Sequence, residues 1–149
     1  MNHRSVSEEA ERLNRRRARA LPVLGVIFLA QQASFLSMPE HAARPVDHLK
    51  ISAWLLLTIV LLAGLATGGG WFHSRPVREL LNDESTRVHR QAAYVYGFWA
   101  AMGTALGLYV VNMFEPVSGR DAVHIIVTVA VATALLNFGM LERRALRGS

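Results

Sequence analysis

The chain has 149 residues, 52% of them hydrophobic, a formal net charge of +5 and no cysteine. The missing cysteines exclude disulfides, thiolate metal centres and cysteine redox relays. A soluble domain of this length spreads its apolar residues at helix or strand period, whereas here they gather into four blocks, at 18–37, 49–68, 93–114 and 122–141.

About 20 residues at 1.5 Å rise cross the roughly 30 Å hydrocarbon core of a bilayer. Each block is therefore predicted as a transmembrane helix. Arg19, Lys50 and His124 fall only at block ends, and the stretch from Leu55 to Ala66 has no polar face, being interrupted only by Thr58 and Gly64. A buried helix of a soluble bundle would still show a polar side to water. The fold class predicted is all-α: an integral membrane four-helix bundle, one domain over 1–149, with the lipid bilayer as its first partner.

The segment before the first block carries Arg4, Arg12, Arg15, Arg16, Arg17 and Arg19, diluted by Glu8, Glu9 and Glu11. It reads as a cytoplasmic extension and not as a cleavable secretion signal, because the apolar run behind it has full spanning length and no small-residue cleavage site follows closely. The first block holds Gln31, Gln32 and Ser34. The loop after it carries Glu40, His41, Arg44, Asp47 and His48. The second block ends in Gly64-x-x-x-Gly68, and the loop behind it carries Arg75, Arg78, Arg87 and Arg90. The third block holds Gly103-x-x-x-Gly107, Thr104 and Asn112. A short connection with Glu115, Arg120 and Asp121 leads to the fourth, with Ala130-x-x-x-Ala134, Thr128, Thr133 and Asn137. Arg143, Arg144 and Arg147 close the chain.

Thirteen of the 16 Lys and Arg residues fall in the N-terminal segment, the middle loop and the C-terminal tail, and three in the other two loops. The positive-inside rule puts the larger group in the cytoplasm, with both termini. The expected location is the bacterial inner membrane. A nucleic-acid role is not expected of the basic segment, since its place beside a membrane helix already accounts for it.

An internal repeat appears at an offset of 75 residues. Glu8-Glu9-Ala10-Glu11-Arg12-Leu13-Asn14-Arg15 aligns with Asp83-Glu84-Ser85-Thr86-Arg87-Val88-His89-Arg90. Without a gap the same offset pairs Ala18 with Ala93, Met38 with Met113, Glu40 with Glu115, Thr58 with Thr133 and Gly64 with Gly139. The halves 1–74 and 76–149 then form two similar hairpins, expected to be related by a pseudo-two-fold axis along the membrane normal. Asn82 or Asp83 is expected to cap the third helix.

In lipid, helices associate by close packing and hydrogen bonds. The small-residue faces at Gly64, Gly103 and Ala130 are assigned mainly to packing inside one chain, with a homodimer seam as the other use. Gln31, Gln32 and Asn137 are costly to place in lipid and are expected to face another helix or to line a pore.

Embedded chemistry is scarce. Small multidrug exporters need a membrane carboxylate, four-helix disulfide-forming proteins need cysteines, and four-helix haem proteins need paired histidines inside the bundle; the four blocks supply none of these. Glu40, His41, Asp47, His48, Glu115, Asp121 and His124 gather on the external side, and His73, Asp83, Glu84 and His89 on the cytoplasmic side. Neither set has a metal-ligand spacing, so no metal, cofactor or catalytic residue is expected and the chain is read as non-enzymatic.

The run Leu81-Asn82-Asp83-Glu84-Ser85-Thr86-Arg87-Val88-His89-Arg90-Gln91-Ala92, followed by Gly97-Phe98-Trp99, resembles the opening of the third helix in small four-helix inner-membrane proteins of bacteria. Some of these are associated with helix-turn-helix regulators, and the resemblance implies a membrane-tethered partner or regulator. The expected partner-binding residues, taken from the repeated charged segment, are Glu9, Arg12, Arg15, Glu84, Arg87 and Arg90. The competing expectation is an oligomeric channel or transporter for a neutral or lipophilic solute, lined by Gln31, Gln32 and Asn137.

Overall fold

The computed structural model describes residues 3–36, 45–67 and 84–148. Among them are four helices and no strand: α1 (His3–Leu36), α2 (Pro45–Thr67), α3 (Glu84–Val111) and α4 (Gly119–Gly148). Pro45 opens α2, where its missing N–H and fixed φ suit the first helical position. Ser118 caps α4: its Oγ accepts from the Asp121 amide at 3.1 Å and donates to Asp121 Oδ2 at 2.6 Å. The third predicted block reached Phe114, but α3 stops at Val111. Asn112 Oδ1 accepts from the Val117 amide at 2.8 Å and turns the chain toward α4 ahead of Pro116. The cap expected at Asn82 or Asp83 lies outside the described residues.

The bundle is organised around α4. Gly97 lets α3 lie so close that a Cβ there would sit 3.1 Å from the Ala130 carbonyl oxygen and 3.2 Å from Ala134 Cβ. On another face, a Cβ on Gly139 would come within 2.5 Å of the Pro22 ring, and one on Gly25 within 3.2 Å of Leu136. Among its described side chains α1 buries Ala18, Pro22, Gly25, Phe28 and Gln32, a stripe of steps four, three, three and four that keeps one narrow face on its neighbour. By contrast α2 stands further from α4 and reaches it with Trp54, Leu57, Leu61 and Leu65, which join Phe28, Val131, Leu135 and Phe138 in the core.

Contacts at the two ends fix the directions. Ala18 meets Arg143 and Gln32 meets Thr128, so α1 and α4 are antiparallel. His89 meets Glu142 while Gly97 meets Ala130, so α3 is antiparallel to α4 as well. Trp54 stacks on His124, and Ala66 lies at the opposite end beside Arg90, so α2 runs with α4. The helices alternate in direction, as the block order predicts.

The outside of the bundle is strongly apolar. Leu56 is 65% exposed, Trp99 66%, Leu106 69% and Tyr109 71%, far more large apolar surface than a soluble monomer shows. Three helices, Leu49–Thr67, Glu84–Val111 and Gly119–Arg147, are long and apolar enough to cross a membrane. The apolar part of α1 with described side chains, Ala18–Gln32, is shorter, and the rest of its block, 33–37, lies outside them.

Elements paired by the 75-residue offset are not packed alike. Ala18 and its counterpart Ala93 are both fully buried. Gly139, however, is crowded by Pro22, whereas its counterpart Gly64 has nothing within 4 Å. The central helix is α4 and its counterpart α2 is peripheral. Gly103 and Gly107, expected to serve packing within the chain, also have no neighbour within 4 Å, so of the three small-residue faces Ala130 and Ala134 are the ones that receive a helix. Gly68 is outside the described residues.

Candidate functional site

One end of the bundle collects the charged groups. Glu142, one residue past the fourth apolar block, is only 3% exposed, and its Oε1 lies 3.2 Å from Nδ1 of His89. A carboxylate this buried needs partners, and His89 reaches it because Ala93 and Gly97, one and two turns further along α3, hold the two helices close. Beside His89, Arg90 Nη1 donates to the Ala66 carbonyl at 2.8 Å. Ala66 is in the last turn of α2, where carbonyls have no intrahelical partner and the helix dipole favours a cation. Arg143 Nε donates to the Ala18 carbonyl at 2.8 Å and Nη2 to the Arg19 carbonyl at 3.4 Å. Three cationic or imidazole side chains thus join all four helices at this end.

The expected partner-binding residues belong to the same end. Arg12, Arg15, Glu84 and Arg87 are exposed, on α1 and α3, two helices that both rest on α4. Arg90 is half-buried and engaged with α2. Glu9 lies in α1, but its side chain is outside those described. α1 continues as helix from the apolar stretch back to His3, so its polar part projects roughly 22 Å beyond Ala18.

At the opposite end Lys50, Glu115 and Arg120 are exposed, and it is the buried contacts that are neutral. Thr128 Oγ1 donates to Gln32 Oε1 at 3.1 Å, both residues buried. One turn away on α4, His124 is buried and stacks on Trp54, with ring centroids 4.0 Å apart and planes 27° apart. The Nε2 of Gln32 and the Nε1 of Trp54 are buried without a hydrogen-bond partner, as is Oδ1 of Asn137. Thr58, Thr67 and Thr104 satisfy their hydroxyls on carbonyls four residues back in their own helices.

The polar residues proposed as a lining are not brought together within one chain. Gln31 is exposed and Gln32 buried. Asn137, nine residues beyond Thr128, is about half a turn around α4 from it. His124 is buried in the bundle against Trp54, and the described residues include no group of three potential metal ligands. Glu40, His41 and His73, and the side chains of Asp47 and His48, lie outside those described.

Glu142, Arg143 and Trp54 are the participants that reading blocks of hydropathy missed. Glu142 and Arg143 fall just beyond a block and look like ordinary tail charges, and Trp54 looks like one more apolar residue. One available signal was Pro22, inside a helical block, which announces a carbonyl left without its donor. No protein-family model matches the chain, and no curated protein or solved structure is significantly similar to it, so the resemblance at the opening of α3 leads to no family assignment.

Proposed function

We propose that the chain is a multi-pass protein of the bacterial inner membrane, its four helices crossing the bilayer with the charged end and both termini in the cytoplasm. It acts there as a non-enzymatic partner or regulator, docking a cytoplasmic protein on the exposed charges of α1 and α3. The apolar exterior supports the membrane placement. Thirteen of 16 cations on one set of segments support the orientation. The 75-residue repeat belongs to the same proposal, as an ancestral hairpin duplicated and then diverged; the equal burial of Ala18 and Ala93 supports it.

The observation that carries the docking reading is the arrangement of the charged end. His89, Arg90 and Arg143 brace the four helices, while Arg12, Arg15, Arg16, Arg87 and Glu84 remain on the surface of the braced unit. A rigid, mixed-charge surface of this kind recognises a partner of complementary charge pattern with little ordering cost. A photoreactive side chain in place of exposed Val88 tests this in intact cells, with one in place of Tyr109 as the lipid-facing control. A discrete adduct at 88, absent at 109 and abolished by Glu84→Arg/Arg87→Glu, is expected. An adduct unchanged by the charge reversal, or none at 88, overturns the docking site.

The alternative, a homo-oligomeric path for a neutral or lipophilic solute, rests on the buried polar atoms of Gln32, Trp54 and Asn137 that lack partners. It is the weaker reading, because Asn137 lies about half a turn around α4 from the Thr128–Gln32 pair.

A further inference from the structure

Pro22 sits inside α1, four residues after Ala18. A proline has no N–H, so the helix cannot supply the donor that would normally bond the Ala18 carbonyl, and the ring presses on that turn. A freed carbonyl at a proline is where helices bend. Two features of α4 answer this one defect. Gly139 offers no Cβ where the Pro22 ring lies; a Cβ there would come within 2.5 Å of Cγ and Cδ. One turn later on the same face, Arg143 donates Nε–H to the Ala18 carbonyl at 2.8 Å, with Nη2 3.4 Å from the Arg19 carbonyl. The donor missing from α1 is thus supplied by a neighbouring helix.

Pro22 falls at the border between two parts of α1. Toward its C-terminus, Pro22, Gly25, Phe28 and Gln32 are buried. Toward its N-terminus lies the polar extension with exposed Arg12, Arg15 and Arg16. A hinge at Ala18–Pro22 therefore sets the angle of the extension and leaves the packed part in place.

We propose that Pro22 is a built-in hinge and Arg143 its latch, so that Arg143, seated by Gly139, positions the basic extension of α1 relative to the start of α3. In terms of the docking reading, on which only its purpose rests, the latch fixes the spacing between the Arg12/Arg15 group and the Glu84/Arg87 group. With Arg143 on the Ala18 carbonyl the two groups form one surface of fixed geometry. With the latch removed, the extension pivots about Pro22 and the two groups separate into independent patches.

The chain has no cysteine, so a spin-label pair at Arg12→Cys and Val88→Cys reports this angle in purified full-length protein reconstituted in lipid, with no partner present. The unmodified latch is expected to give a single narrow distance distribution. Arg143→Met loses the narrow peak and broadens it, while Arg143→Lys, which keeps one donor, restores part of it. The decisive variant is Arg143→Met combined with Pro22→Ala: alanine returns the intrahelical N–H to the Ala18 carbonyl, and the narrow distribution returns without the arginine. If Arg143→Met does not fold, Arg143→Leu, which also lacks a donor, takes its place in both comparisons. A distribution that Arg143→Met leaves unchanged overturns the latch. So does one that stays broad in the double variant, since a loss of surface charge alone is not repaired by alanine at 22. Failure of the crosslinking experiment removes the docking partner but leaves this measurement standing, and the reverse holds equally.

Discussion

At the charged end of the bundle, His89, Arg90 and Arg143 each cross a helix boundary to reach a carboxylate or a backbone carbonyl. At the neutral end, Thr128 and Gln32 share one buried hydrogen bond, while the donors Gln32 Nε2 and Trp54 Nε1 have no acceptor. Both ends bury polar atoms between α4 and its neighbours. The difference lies in how strong and how complete the partnerships are. Charge-assisted bonds are roughly twice as strong as neutral ones, and leaving a buried donor unmade costs about 1–3 kcal/mol. The charged end is accordingly the braced one. The neutral end gains stability chiefly from packing around Phe28, Leu135 and Trp54 and is the part more tolerant of polar-to-apolar change.

The largest test of that contrast is Gly139→Leu. With even a Cβ at 2.5 Å from Pro22, the side chain forces α1 off α4 and breaks the Arg143 bond. A destabilisation of about 3 kcal/mol is expected, seen as a lower midpoint of thermal unfolding in detergent by circular dichroism. Gly103→Leu is the matched control, because Gly103 has open space around it and the midpoint should not move. A similar loss from both would mean that generic helix effects, and not the seam at Pro22, set the stability.

Next in size is His89→Ala, which takes a partner from a carboxylate that is 3% exposed. About 1–3 kcal/mol is expected from the unmade interaction. His89→Ala/Glu142→Leu should recover much of it, because the second change removes the buried carboxyl group that His89 had served. A double variant no more stable than the single one would show that Glu142 is held by other groups.

The smallest effect is expected at the neutral end. Gln32→Leu removes an amide whose Nε2 is already without a partner, and the Thr128 hydroxyl can turn to a carbonyl of its own helix. The unfolding midpoint should stay level or rise, equivalent to no more than about 1 kcal/mol. A clear loss of stability would place Gln32 among the bracing residues and erase the contrast between the ends.

Much of this architecture is legible in the chain itself. The four apolar blocks mark four helices because spanning length and the lack of a polar face are local properties of 20 to 22 successive residues. The alternation of direction follows in part from short connections between long helices, as between α1 and α2 and between α3 and α4. The grouping of cations is likewise a property of segments and requires no contact information. The exposed positions Arg12, Arg15, Glu84 and Arg87 follow from the repeated charge pattern.

Which faces meet is a non-local matter, and that was decided by tertiary structure alone. Gly64 and Gly103 carry the small-residue spacing, yet a Cβ at either would meet nothing within 4 Å, whereas Gly25, Gly97 and Gly139 carry the packing without announcing it. A glycine is useful only where another backbone or ring arrives, and that depends on the partner helix. The same reason hides Glu142 and Arg143, which in sequence are tail charges and in the fold are a buried carboxylate and the donor for a carbonyl freed by Pro22. The near-symmetry of the two sequence halves likewise gave no warning that α4 would be central and α2 peripheral. Small residues along α4 admit helices on two sides, while the leucine-rich face of α2 holds its neighbour at side-chain length.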